Sequence, residues 1–219
     1  MAWSKDGRFL FYVIRDEETL LPFQVKRHEI GTSINDDSIV YQEIDSTFYT
    51  SVGNTRSMDF VEINISSTTS SEVRLIRSED PELEPEIFLP RENDHLYSVD
   101  HDPASDRFLI ESNWEAINFR LLESKLEDSR NKNKWKELIP HREEVLLQSV
   151  VPFPQHLVIM ERENGLRHLK ILDKKSKSIK TINFNDPTYT AYLASNPEYL
   201  SLIHISEPTR QEAISYAVF

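Results

Sequence analysis

The chain has 219 residues, of which 38% are apolar, 28% charged and 10% aromatic, and it contains no cysteine. This composition excludes collagen-like and disulfide-stapled classes and argues against disorder, and it leaves no thiolate nucleophile or Cys-ligated zinc. Thirty-seven acidic against 25 basic residues give a net charge of −12, the wrong sign for a nonspecific nucleic-acid binder. No window approaches the ~20 apolar residues of a membrane span. The stretch Met1 to Gly7 lacks the apolar core of an export signal, so a soluble, cytoplasmic chain is expected, with no nucleic-acid or membrane partner.

Taken in chain order, short apolar runs between polar turns replace helical periodicity. Phe9-Leu10-Phe11-Tyr12-Val13 comes first, followed by Gln24-Val25-Lys26 and Ser38-Ile39-Val40-Tyr41. Tyr49-Thr50-Ser51-Val52 then leads into Phe60-Val61-Glu62-Ile63, Glu72-Val73-Arg74 and Pro85-Glu86-Ile87-Phe88. A third set runs through Tyr97-Ser98-Val99, Phe108-Leu109-Ile110, Asn118-Phe119-Arg120 and Trp135-Lys136-Glu137-Leu138. The fourth is Leu147 to Val150, Leu157 to Met160, His168-Leu169-Lys170 and Ile179 to Ile182.

From Phe9 to Phe60, Phe108 and Leu157 the steps are 51, 48 and 49 residues. Aligning Val25, Val73, Phe119 and Leu169 gives steps of 48, 46 and 50, each apolar position being followed by a basic residue. Four strands in a repeat of about fifty residues is the pattern of β-propeller blades. A β-sandwich of coincident spacing is the other architecture such runs allow; three strand types keeping step across four units favour the propeller. The fold class expected is therefore all-β, a β-propeller of four-stranded blades, although no Trp-Asp or double-glycine blade signature is present. The alternations Val73/Leu75 and Phe119/Leu121 predict one buried face, with Arg74 and Arg120 on a solvated one. Glu123 to Lys134 reads as a charged loop at a blade tip.

Catalytic signatures are scarce. Gly7, Gly31, Gly53 and Gly165 are the only glycines, too scattered for a phosphate loop or dinucleotide fingerprint, and none begins a G-x-S-x-G elbow. His95 and His101 stand near Asp94, Asp100 and Asp102, but the spacing fits no established ligand pattern, and a polar inter-strand loop is the better reading. Glu17-Glu18 and Glu143-Glu144 are sequence neighbours that point apart on a strand, which suits solvation better than acid–base work. Asn64-Ile65-Ser66 fits a glycosylation sequon in a chain with no export signal. No residue is nominated as catalytic, cofactor-binding or metal-ligating, and no cofactor is expected.

The last twenty residues stand apart. Leu200 to Arg210 (LSLIHISEPTR) and Ile214 to Phe219 (ISYAVF) look like frame translations of a DNA-library transposase adapter and of the flow-cell primer beyond it. Between them, Gln211-Glu212-Ala213 leaves room for an index barcode. The alternative is a real C-terminal strand and helix, since SLIHI has strand character. Residues 200–219 are expected to be non-native, which leaves 1–199 as the biological segment with a charge of −11 once one basic and two acidic tail residues are set aside.

Ala2 to Thr32 (AWSKDGRFLFYVIRDEETLLPFQVKRHEIGT), Thr47 to Phe60 (TFYTSVGNTRSMDF), Phe88 to His101 (FLPRENDHLYSVDH), Trp135 to Leu147 (WKELIPHREEVLL) and Phe184 to Tyr199 (FNDPTYTAYLASNPEY) carry a resemblance. In this order they resemble the oligopeptidase B, or protease II, branch of the prolyl oligopeptidase family of serine peptidases, with an insertion around Lys125 to Asn133. The resemblance implies a seven-bladed N-terminal propeller covering an α/β-hydrolase domain that holds a Ser-Asp-His triad. It also implies cleavage of short peptides after Lys or Arg, with the propeller admitting small peptides and shielding the active site. Residues 1–199 would then be about four of seven blades, open at both ends and lacking the first and last. The triad would be absent and this chain inactive by itself. Expected partners are short basic peptides and the protein's own hydrolase domain, and the negative charge could steer such peptides. A stand-alone propeller serving as an interaction module and a degraded gene are the other readings.

Overall fold

The computed structural model describes residues 1–184, 189–194 and 199, together with the backbone of two strands within 203–218. Four antiparallel four-stranded sheets follow one another along the chain, each in simple up-and-down order. Sheet one is β1 (Ala2–Trp3), β2 (Phe9–Arg15), β3 (Pro22–Glu29) and β4 (Ser38–Gln42). Sheet two is β5 (Tyr49–Asn54), β6 (Phe60–Ser66), β7 (Ser71–Arg77) and β8 (Glu86–Leu89). Sheet three is β9 (Tyr97–Asp102), β10 (Arg107–Ser112), β11 (Arg120–Ser124) and β12 (Lys136–Ile139). Sheet four is β13 (Val145–Pro152), β14 (His156–Glu163), β15 (Leu166–Asp173) and β16 (Ile179–Thr181). The expected blade repeat is therefore present, each sheet beginning on the strand that precedes the Phe9-type run.

A shorter sheet follows, in which β17 (Tyr192–Leu193) pairs with β18 (Ile203–Pro208) and β18 with β19 (Ala213–Val218). The two last strands fall in the segment expected to be non-native; 200–202, 209–212 and 219 lie outside the described residues.

Local chemistry explains the hairpins. Between β14 and β15, Asn164 and Gly165 sit at φ 51° and 81°, the left-handed pair that lets a two-residue turn match strand twist. In sheets one to three the third strand carries a bulge just after one fully buried residue, namely Val25, Val73 and Leu121. These residues and buried Leu169 are each 48 positions apart, so the alignment on Phe119 falls two residues early. Phe119 has φ 62° and its amide bonds to Ala116 O at 2.8 Å, which closes a turn before β11 begins. Leu122 follows Leu121, so the apolar-then-basic pattern fails in sheet three.

The middle strands are buried on both faces, not one. Phe60, Val73, Leu75 and Phe88 of sheet two pack with Tyr97, Phe108, Ile110 and Leu122 of sheet three. Val61, Ile63, Ile65 and Ile76 pack the other way, against Phe9, Phe11 and Val25 of sheet one. Leu109 and Leu121 join sheet three to Leu147, Val150 and Ile159 of sheet four. Phe153, Val158 and Leu169 continue the stack onto Ala191. Period-2 alternation thus serves two cores per sheet, each fully buried Ile, Leu or Phe contributing about 1.5–3 kcal/mol. Arg74 and Arg120 are not free in solvent. Arg74 pairs with Glu72 at 2.8 Å and lies over Tyr41, while Arg120 pairs with Glu137 and lies over Trp114.

The charged insertion, expected at a blade tip, is the loop between β11 and β12 and also wedges against sheet two. It folds into two 3₁₀ turns, Leu126–Asp128 and Lys132–Lys134. Arg130 donates to Ile87 O of sheet two at 3.0 Å, Lys132 reaches Glu92 at 2.7 Å, and Trp135 Nε1 donates to the buried Ser129 carbonyl at 2.9 Å. Leu126 packs on the core shared by sheets two and three.

Candidate functional site

The first strands of successive sheets approach one another, β1 against β5 and β9 against β13. The sheets therefore converge on these strands, which form an inner wall. A cavity of about 710 Å³ opens on that wall, lined by residues of sheets two, three and four and by Tyr192 and Leu193. Three carboxyl groups belong to it: Glu62 on β6, Asp100 on β9 and Glu111 on β10.

Two of these carboxyls bind neighbouring backbone. Asp100 Oδ1 accepts from the amides of Arg56 and His101, each at 2.8 Å, and Glu111 Oε1 accepts from Val150 N of sheet four at 2.5 Å. Burial pushes Glu62 up to about 8, Glu111 to about 7 and Asp100 to about 6, because desolvation disfavours the charged form. The cation beside Asp100 is Arg56. Its Nε donates to Pro152 O at 2.8 Å and its guanidinium stacks over the Phe153 ring at 4.3 Å. Arg56 thus reaches from sheet two, across sheet three, to sheet four.

The turn that carries Arg56 is pinned by His101. His101 Nδ1 lies 2.9 Å from Ser57 Oγ, and its Nε2 lies 3.4 Å from Asp106. Hydroxyl, imidazole and carboxylate resemble a nucleophilic triad, but the roles do not fit. Ser57 Oγ already accepts from Asp59 N at 3.1 Å and bonds Thr55 at 2.9 Å, and Asp106 is 98% exposed. The imidazole stands against Phe60 and Phe108, and burial lowers its pKa. It therefore serves as a neutral turn anchor.

The other residues weighed from sequence fall elsewhere. His95 lies in the loop between β8 and β9, as expected, but is buried, whereas His101 is a buried residue of β9 itself. His95 Nε2 lies 2.8 Å from Ser112 Oγ, and burial lowers its pKa to about 4. Asp102 is also buried, and it accepts from Lys174 at 2.6 Å and from Tyr199 OH at 2.8 Å. Among the described residues no group of His, Asp and Glu is arranged to hold a metal ion. Glu17, Glu18, Glu143 and Glu144 are exposed turn residues, and Asn64 lies within β6. Sequence reading missed Glu62, Glu111 and Arg56, although the first two were visible as lone acids in otherwise apolar central-strand runs. No helix among the described residues is long and apolar enough to cross a membrane.

Comparison with known proteins accounts for the arc of sheets. The family profile described as prolyl oligopeptidase, N-terminal beta-propeller domain, matches residues 1–205. Dipeptidyl aminopeptidase BI of Pseudoxanthomonas mexicana is 37% identical over 202 residues, covering 90% of this chain and 27% of that protein. Protease 2 of Moraxella lacunata is 31% identical over 199 residues, covering 91% of this chain and 28% of that protein. Among solved structures, the closed form of oligopeptidase B from Trypanosoma brucei with covalently bound antipain superposes with a TM-score of 0.90 at 21% identity, covering 99% of this chain and 32% of that one. This chain spans about a quarter to a third of the length of these relatives. With its four consecutive four-stranded sheets, the chain belongs to the prolyl oligopeptidase N-terminal β-propeller domain family.

Proposed function

We propose that this chain is the substrate-gating propeller part of an oligopeptidase B-like serine peptidase that cleaves short peptides after Lys or Arg, its hydrolase domain lying outside these 219 residues. The observation that carries this reading is a propeller-family match over 1–205 in a chain spanning 27% and 28% of its curated peptidase relatives. The inner wall would screen peptides, and closure against the hydrolase domain would exclude water. Residues 200–219 are proposed as adapter translation. Reading the source DNA past the codon for Tyr199 tests both points. In-frame continuation through further blades into a hydrolase domain with a nucleophile elbow is expected. A stop codon soon after a complete propeller would favour an interaction module instead, and frameshifts a degraded gene.

The higher identity to a protein named dipeptidyl aminopeptidase BI favours release of N-terminal dipeptides as the second reading. Chromogenic Arg substrates with free and with blocked N-termini separate the two in the full-length enzyme: cleavage of the blocked substrate supports the oligopeptidase reading, and cleavage of the free one alone refutes it. The 219-residue chain is expected to cleave neither.

A further inference from the structure

Sheets that converge on their first strands diverge toward their fourth, which leaves a wedge-shaped gap at the outer edge. Between sheets two and three the insertion fills it, with Leu126 on the shared core and Arg130 bonded to Ile87 O. Between sheets three and four a groove of about 910 Å³ stands in its place. Leu109, Leu138, Leu157, Leu172 and Ile179 make its apolar side, and Ile179 is 56% exposed. The carboxylates on the groove are already engaged. Asp102 holds Lys174, Glu123 holds Lys136 and Glu137 holds Arg120, while Asp173 accepts from the amides of Lys175 and Ser176 in its own turn. Lys175 and Lys177 line the same groove, and neither ammonium has an ion-pair partner among the described residues.

The loop between β7 and β8 has the complementary character. Glu79, Asp80, Glu82 and Glu84 surround Leu83, all of them exposed. None of these acids has an ion-pair partner among the described residues, because the nearby Lys5 and Arg8 are spent on Asp59 and Glu29. The loop is held in shape: Arg27 Nη1 donates to Pro81 O at 2.7 Å, and Leu83 N donates to Asp80 O at 3.2 Å. A preformed loop loses little freedom on binding. Loop 78–85 and turn 174–178 both connect a third strand to a fourth, so loop and groove lie at the same end of the stacked sheets.

We propose that the groove between sheets three and four docks a second copy of this chain, taking Leu83 on its apolar side while Lys175 and Lys177 pair with the acids around Leu83. A two-fold arrangement of the two ends gives each copy both contacts, loop to groove and groove to loop, and closes the assembly at a dimer. Leu83 does in this groove what Leu126 does in the neighbouring gap, where a leucine from a charged loop covers the core between two sheets. The unpaired charges on the two sides fix the register.

Sedimentation equilibrium of the full chain tests this. The mass is expected to rise with concentration from 25.7 kDa toward twice that value. Leu83→Ser, the pair Lys175→Glu with Lys177→Glu, and the pair Glu82→Lys with Glu84→Lys should each weaken association by roughly tenfold or more. Mixing the two charge-reversed chains should restore it, because each contact then joins opposite charges again, a rescue that general damage to the fold would not give. A fluorescent peptide of residues 78–86 provides a second measurement on the unsubstituted chain. It should bind and dissociate the dimer, and should bind the Lys175→Glu, Lys177→Glu chain roughly tenfold more weakly. A monomer at every concentration, variants that associate as the parent does, or a mixture that stays apart overturns the proposal. Peptide binding by a chain that remains monomeric also overturns it, and assigns the groove to an acidic segment of another protein.

Discussion

Tyr97→Phe removes one oxygen from the junction of sheets two and three. The Tyr97 hydroxyl fills the bulge in β7: it accepts from Val73 N at 2.8 Å and donates to Leu89 O. These two backbone groups would otherwise face each other across the bulge unpaired, and Val73 and Leu89 are 0% and 3% exposed. The ring itself packs near Phe88, 6.4 Å between centroids, and phenylalanine would keep that contact. The loss therefore isolates hydrogen bonding. Each buried unpaired group costs about 1–3 kcal/mol, so the pair should cost about 2–4 kcal/mol after partial relaxation, a fall in Tm of roughly 5–15 °C for a domain of this size. Urea unfolding followed by tryptophan fluorescence suits the site, because Trp135 and Trp114 lie in the same core. Tyr49→Phe, at an exposed position on β5, is the control and should cost no more than about 0.5 kcal/mol. A Tyr97→Phe loss below about 0.5 kcal/mol, the range of neutral surface changes, would refute the plug.

Arg91 holds sheets one and two through Glu43 at 2.6 Å and through Glu72, whose carboxylate also accepts from Arg91 N. Arg91→Met takes the paired cation from buried Glu43, while Glu72 keeps Arg74, and should cost about 3 kcal/mol by chemical denaturation; a loss under about 1 kcal/mol would show that solvent replaces it. Replacing 125–134 with a short Gly-Ser turn should destabilise the chain and shift Trp135 emission to the red; an unchanged spectrum would return the insertion to a mere tip. Glu62 has a folded-state pKa raised from 4.5 to about 8 by burial, so folding takes up a proton. Its contribution is complete below about pH 4.5 and falls by about 1.4 kcal/mol per unit until about pH 8. Glu62→Gln should flatten the stability profile across that window, and a slope identical to the parent's would contradict the burial argument.

The repeat was legible in sequence because each blade needs the same run of apolar residues at nearly constant spacing. Where the alignment slipped, at Phe119, the error was one of register. Two apolar residues of the same unit compete for one slot, and only the left-handed turn at Phe119 shows that Leu121 fills it. The single-face burial expected for Val73 and Leu75 failed because sheets in a stack have neighbours on both sides, and no run of residues records how many layers flank it.

What the sequence determined by itself was the periodicity, the solubility-compatible charge, the absence of thiols and the family, all of which are properties of residue order along one strand after another. Tertiary structure alone decided that His101 anchors a turn, that Tyr97 completes a bulge, that the insertion is a wedge and that Glu62, Asp100, Glu111 and Arg56 share a cavity. Those residues span 56 to 111, and their meeting depends on sheets converging at their first strands. Their protonation depends on the water excluded there. Desolvation and inter-sheet hydrogen bonding act through space, and spacing along the chain carries no trace of either.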